Sequence, residues 1–185
     1  MSETSPAPQN APQNGQAAGQ PTPPLMVNIQ FVKDLSFEVP GAPEIFTTLR
    51  SQPNVQINLD VQARRIQDGE SVFEVVLVVR AEATETPAVE GQNGGSPGRA
   101  VFIAELSYAG IFTLNGIPDN QVEPVLLIEC PRLLFPYARN ILADVTRDGG
   151  FPPVLLQPID FVALWQARRQ AAQTDAGPGD APAIA

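Results

Sequence analysis

The chain has 185 residues and is 43% hydrophobic, which suits one domain with a core rather than two. Eleven Lys and Arg stand against twenty Asp and Glu, a net charge of -9; this argues against nucleic acid and anionic membrane surfaces, which need clustered cations. Histidine is absent, which removes the commonest general base and metal ligand, and the single Cys130 permits no intrachain disulfide. The acidity is compatible with a basic partner, or with nothing beyond solubility.

Residues 1–24 carry six prolines and one charge, Glu3, with no large apolar residue after Met1. Such a segment cannot bury enough surface to offset its ordering entropy, so a disordered Pro/Gln/Ala-rich tail is expected. The same holds for residues 173–185, leaving residues 25–172 as the folded domain. No secretory signal opens the chain, and no apolar run nears the ~20 residues that span a bilayer. A soluble cytoplasmic protein without direct membrane insertion is the expectation.

Period-two alternation marks the first strands. Ile29, Phe31, Leu35, Phe37 and Val39 oppose Gln30, Asp34, Ser36 and Glu38, and Pro40-Gly41 stops the run. A short helical piece is expected at Pro43 to Arg50. In Asn54 to Arg64, Val55, Ile57, Leu59, Val61 and Ala63 point one way and polar residues the other. Asp68-Gly69 supplies a hairpin turn. Phe73 to Thr84 and Arg99 to Leu114 are apolar on both faces, as central strands are. Too few later residues remain to cover both faces, so part of that surface is expected to meet another chain or a ligand. Pro87 to Gly98 reads as a long mobile loop.

The second half reads as helical. Pro124 suits a helix first turn, and the spacing from Val125 to Val145 fits a buried helix that Pro131 and Pro136 should kink or split. Gly149-Gly150 ends it. Phe151 to Ile159 holds three prolines and is extended. Asp160 caps a last helix carrying Phe161, Leu164, Trp165 and Arg168. Strands first and helices after give an α+β domain: an antiparallel sheet with helices on one face.

No catalytic constellation emerges. Serine and cysteine triads need histidine. Cys130 lies in an apolar stretch and reads as a buried structural thiol. The glycines of the 90–98 loop are interrupted by Pro97 and lack a following helix, so they form no phosphate cradle. No enzyme, metal or cofactor is expected. Asp34 and Glu38 share a strand face that Glu105 joins if the registers allow. That face is either a landing site for a basic partner or an ordinary solvated face. Phe102, Phe135, Tyr137, Phe151, Leu155, Leu156 and Trp165 either line an apolar polypeptide-binding groove or belong to core and oligomer contacts.

Several segments resemble the SecB family of bacterial export chaperones. Lys33 to Pro40 (KDLSFEVP) is similar to its opening strand, Phe102 to Phe112 to its fourth strand, and Leu134 to Arg139 (LFPYAR) to its main helix. Gly150 to Pro153 and Leu155 to Phe161 (LLQPIDF) resemble the loop that follows. The likeness runs in one register from about Phe31 to Trp165. It implies a four-stranded antiparallel sheet with two helices, assembled as a homotetramer, a dimer of dimers. It implies an ATP-independent chaperone that holds unfolded preproteins and passes them to the SecA ATPase. By the same resemblance Asp34, Glu38, Ile103 and Glu105 form the SecA-docking surface, and Ala104, Leu106 and Tyr108 the oligomer interface. A SecB-like chaperone serving a toxin-antitoxin pair, an enzyme on a similar scaffold and a purely structural role are the rival readings.

Overall fold

The computed structural model describes residues 22–85 and 98–175. Most of the Pro87 to Gly98 loop and nearly all of both expected tails lie outside them. Four strands form one antiparallel sheet in the order β1-β4-β3-β2: β1 (Leu25–Glu38), β2 (Asn54–Arg65), β3 (Val72–Thr84) and β4 (Ala100–Leu114). A one-turn helix, α1 (Ile45–Thr48), lies between β1 and β2. The β2–β3 hairpin turns at Gly69, whose φ of 83° is the left-handed conformation expected of Asp-Gly.

Residues opposed across an antiparallel pair share a sheet face, so register sorts the side chains. Phe73, Val75, Leu77 and Val79 of β3 lie opposite Phe112, Gly110, Tyr108 and Leu106 of β4. These form the inner face, on which the helices pack. The outer face carries Glu74, Val76, Val78, Arg80 and Glu82 on β3, opposite Ile111, Ala109, Ser107, Glu105 and Ile103.

The period-two reading of β1 needs correction. Its pairing with β4 slips between Val27 and Ile29 and again between Val32 and Asp34. Each bulge inserts one unpaired residue and inverts the faces beyond it. Leu35 and Phe37 oppose Leu106 and Ala104 on the inner face, whereas Ile29 and Phe31 oppose Ile111 and Ala109 on the outer. Strict alternation therefore placed Ile29 and Phe31 on the wrong side.

The helical half starts earlier than Pro124. α2 (Asp119–Pro124) leads into a five-residue π-helical stretch, Val125–Glu129, and then α3 (Cys130–Asp148). The wider π register falls just where Pro131 lacks the amide for a bond to the preceding turn. Pro136 is accommodated inside a continuous α3. The helix closes with a Schellman motif: Gly150 donates to the Arg147 carbonyl at 3.0 Å and Phe151 to the Thr146 carbonyl at 3.1 Å. Gly150 has φ of 88°, and a Cβ on Gly149 would overlap the Phe37 ring. After an extended stretch, Asp160 Oδ1 accepts from the Val162 and Ala163 amides at 3.0 Å each and opens α4 (Phe161–Asp175). α4 runs past the expected boundary at Ala172.

The core lies between the inner sheet face and α3. Val75, Leu77, Val79, Ala104, Leu106 and Phe112 meet Leu134, Ala138 and Leu142, with Phe161 of α4 at the margin, all essentially sealed from solvent. Each large side chain so buried contributes ~1.5–3 kcal/mol. Gly110 lets α3 approach closely, since a Cβ there would come within 3.0 Å of Leu134 Cδ2. The two-sided apolar pattern of β3 and β4 is largely covered within one chain: Val76, Val101 and Ala109 are buried as well. The open apolar surplus lies elsewhere. It sits on edge strand β1, where Ile29 is 53% exposed, and on α3, where Tyr137 is 52% exposed.

Thr146 ties the extended stretch to α3. Its fully buried hydroxyl donates to the Leu142 carbonyl at 2.9 Å and accepts the Val154 amide at 3.0 Å. Thr146→Val keeps the shape but orphans that amide. The expected loss is ~1–3 kcal/mol of unfolding free energy, read from the urea midpoint at unchanged slope.

Candidate binding surfaces

Two chemically different surfaces flank the sheet. On the outer face, Asp34 opposes Ser107, Ser36 opposes Glu105, and Glu38 opposes Ile103. The register thus gathers Asp34, Glu38, Ile103 and Glu105 on adjoining strands, side by side. Asp34 and Glu38 are exposed, Ile103 and Glu105 half-buried. Glu82 on β3 also opposes Ile103 and extends the patch. Arg80 lies inside it, pairing with Glu105 and reaching Glu82 Oε2 at 3.3 Å. The patch remains acidic, with four carboxylates, Asp34, Glu38, Glu82 and Glu105, against Arg80.

Sequence reasoning missed the other half of this face. Glu74 is only 5% exposed, yet it is ionised between Lys33 Nζ at 2.9 Å and Arg64 Nε at 2.6 Å. Burial pushes its carboxyl up, but the hydrogen bonds and charges of Lys33 and Arg64 outweigh it and hold the group below its ordinary value of 4.5. The available signal was one carboxylate interrupting an otherwise apolar strand from Phe73 to Val79. Its partners come from β1 and β2, and Lys33 reaches the face because it is the bulged residue.

The helix side is apolar and aromatic. Phe37 stacks on Phe102 with ring centroids 5.6 Å apart, Phe151 lies tilted 5.0 Å from Phe102, and Phe46 lies 5.3 Å from Phe151. Beside them a cavity of about 350 Å³ is lined by Gln52, Pro53, Val55, Phe102 and the stretch from Pro152 to Leu155. Leu155 is 59% exposed on its lip. A second opening lies between β2, the π-helical stretch and α4, where Trp165 lines a cavity of about 260 Å³.

The expected groove residues therefore do not form one trough. Phe102 and Leu155 line the first opening, with Phe151 buried behind Phe102, and Trp165 lines the second. Leu156 is buried in the core, and Phe135 packs edge-on against Phe161 with centroids 6.0 Å apart. Tyr137 stands apart on α3, its ring stacked 6.0 Å from Tyr108. Burial, with Tyr137 beside it, raises the Tyr108 hydroxyl above its ordinary 10.0. Ala104 and Leu106 are fully covered by the chain's own helices, so their direct influence is on the seat of α3.

Cys130 is sealed in the core; burial, with the Glu129 charge nearby, pushes its thiol up to about 12. Among the described residues no group of three or more His, Cys, Asp or Glu could hold a metal ion, and no helix is long and apolar enough to cross a membrane.

An acidic sheet face on one side and open apolar cavities on the other define an α+β protein with binding surfaces on both sides of one sheet. The sequence matches the family described as preprotein translocase subunit SecB over residues 18–172. It is 70% identical over 148 residues to the protein-export protein SecB of Acidiphilium cryptum, covering 79% of this chain and 89% of that one. It is 64% identical over 167 residues to that of Granulibacter bethesdensis, covering 90% and 93%. The fold is like that of a SecB-like chaperone of Mycobacterium tuberculosis solved with a peptide from the HigA1 antitoxin, with a TM-score of 0.56 at 14% identity, covering 73% and 90%. The chain belongs to the SecB family, whose members are protein-export chaperones and not enzymes.

Two measurements probe these surfaces. Glu74 has a lowered folded pKa, so its contribution to stability is full above 4.5 and is lost as pH falls through the folded value. The stability gap between wild type and Glu74→Gln is expected to close as pH falls below 4.5 and through the lowered folded value in urea titrations. Cys130 is expected to resist alkylation at neutral pH in the folded protein and to react fully in denaturant, as mass spectrometry would register.

Proposed function

We propose that this chaperone works in the cytoplasm as a homotetramer, a dimer of dimers, which holds unfolded preproteins without nucleotide and passes them to the SecA ATPase. The observation that carries this reading is the division of labour across one sheet. Carboxylates gather on the outer face, and apolar openings lie on the helix side. Holding and hand-over can then proceed on separate surfaces.

Client capture draws on burial, which is non-directional and suits chains of many sequences. Each large client side chain contributes ~1.5–3 kcal/mol when fully buried, and several contacts on one chain reinforce one another through effective concentration. Compact folded proteins offer no such side chains. Phe102, Phe151 and Leu155 serve one opening and Trp165 the other. Tyr137, Phe135 and Leu156 support the surface around them.

The acidic outer patch suits a basic element of SecA. Asp34 and Glu38 are exposed and so steer encounter most effectively, while Ile103 offers apolar contact at the centre. For assembly, the exposed apolar strip of β1 and the ridge of α3 around Leu133 and Tyr137 supply surface that one chain leaves open. Ala104, Leu106 and Tyr108 act beneath that ridge by fixing where α3 sits. All of these surfaces are carried by residues 25–172.

Replacing Asp34 and Glu38 together by Asn and Gln is expected to weaken SecA binding about tenfold or more in a titration at low salt. Suppression of aggregation of an unfolded protein, measured without ATP, should stay at the wild-type level. Undiminished SecA affinity in the double variant would overturn the docking assignment.

A further inference from the structure

Lys33 and Asp34 are neighbours in β1, yet their side chains serve different parts of the outer sheet face. Asp34 opposes Ser107 and belongs to the acidic patch. Lys33 is the unpaired residue of the bulge, and its Nζ donates to both carboxylate oxygens of Glu74, at 3.0 Å and 2.9 Å. Glu74 is on β3, so the lysine stem crosses β4 to reach it. Ser107 and Ala109, the outer-face residues of β4 that flank the bulge in register, are small and leave room for the stem.

Nothing in the lysine itself dictates that direction. An ammonium on a flexible four-carbon stem takes whichever carboxylate holds it best. Asp34 is adjacent along the chain, and Glu38 lies on the same face. Both are exposed, and an exposed ion pair contributes little. Glu74 is only 5% exposed and stands between Phe73 and Val75. A carboxylate so placed would be left as an uncompensated charge without its cations, so it holds them firmly. Arg64 Nε closes the cluster from β2 at 2.6 Å. The cavity beside it, of about 180 Å³, is lined by Lys33, Gln62, Ala63, Arg64, Glu74 and Val76, and by none of the patch carboxylates.

The charge count shows what this achieves. The patch sets Asp34, Glu38, Glu82 and Glu105 against Arg80 alone. A lysine released from Glu74 would bring a second cation, and it would arrive beside Asp34. Arg64 is three strands away from β1, about 14 Å at ~4.8 Å per strand, and brings no such cation to Asp34.

We infer that Glu74 is a positioning residue for the docking surface: it draws Lys33 across the sheet and so keeps Asp34 and Glu38 free for a basic partner. Glu74 does this without touching the partner. The inference rests on the docking role proposed above and adds to it a residue that lies outside the patch yet sets its charge.

The test uses the full-length chain, titrated with SecA at low and at moderate salt. Glu74→Leu keeps the bulk of the side chain and offers Lys33 no acceptor. It should weaken SecA binding about threefold, with a shallower salt dependence than wild type. Lys33→Met combined with Glu74→Leu should restore both the affinity and the salt dependence, because the freed cation is gone. Arg147→Gln combined with Glu74→Leu restores the same net charge on the helix side and should leave binding weak. If Glu74→Leu does not fold, Glu74→Gln takes its place in each combination. Wild-type affinity in the Glu74 variant would overturn the inference. A Lys33 combination as weak as the Glu74 variant alone would do so too, by tracing the loss to a distorted sheet. Rescue by Arg147→Gln would do so by tracing it to net charge. The Asp34→Asn, Glu38→Gln variant is titrated alongside. If it binds SecA as wild type does, the docking role itself fails. If it is weakened while the Glu74 variant is not, only the positioning by Glu74 fails.

Discussion

α3 seals the inner face of β3 and β4, and every other surface of the molecule is placed by that contact. Leu134, Ala138 and Leu142 lie over Leu77, Leu106 and Phe112, and Gly110 provides the clearance that lets helix and sheet meet. With the helix seated there, the opposite sheet face carries Glu74, Arg80 and Glu105 among apolar side chains such as Val76 and Ala109. The two flanks become openings, because α3 alone is too narrow to roof four strands. The stretch from Phe151 to Ile159 borders one flank and α4 the other.

How each flank is held differs. The stretch after α3 is anchored by a buried hydroxyl, the Schellman turn at Gly149 and Gly150, and a stack of aromatic rings. That is a stiff arrangement of interlocking contacts. α4 is held by Phe161 in the core and, farther along, by half-exposed polar contacts: Arg168 to Asp60 and Trp165 Nε1 to Glu123 at 3.2 Å. Exposed ion pairs contribute little and are screened by salt. The α4 side is thus the more weakly held of the two.

The outer face holds both signs of charge at different positions along the strands. Glu74 is neutralised by two cations in a half-sheltered cluster, while Arg80 pairs with Glu82 and Glu105, and Asp34 and Glu38 add two further carboxylates beside them. The surplus of negative charge is therefore local. Net composition reveals an acidic protein, but not that four of its carboxylates meet at one end of one sheet face.

Much of this was legible in the chain alone. Period-two runs located all four strands, Asp68-Gly69 located the hairpin, and Gly149-Gly150 and Asp160 located a helix end and a helix start, because these signals depend on local backbone chemistry. The motifs from Lys33 to Phe161 pointed to the family. The sequence did not reveal the bulges in β1, because an inserted residue shows only against the strand it fails to pair with. Nor did it reveal that Glu74 lies between Lys33 and Arg64, that Arg168 reaches across to Val61, or that the aromatic residues divide between two openings. Those facts join residues distant along the chain. They were decided only when the sheet register and the seat of α3 brought three strands and two helices to common surfaces.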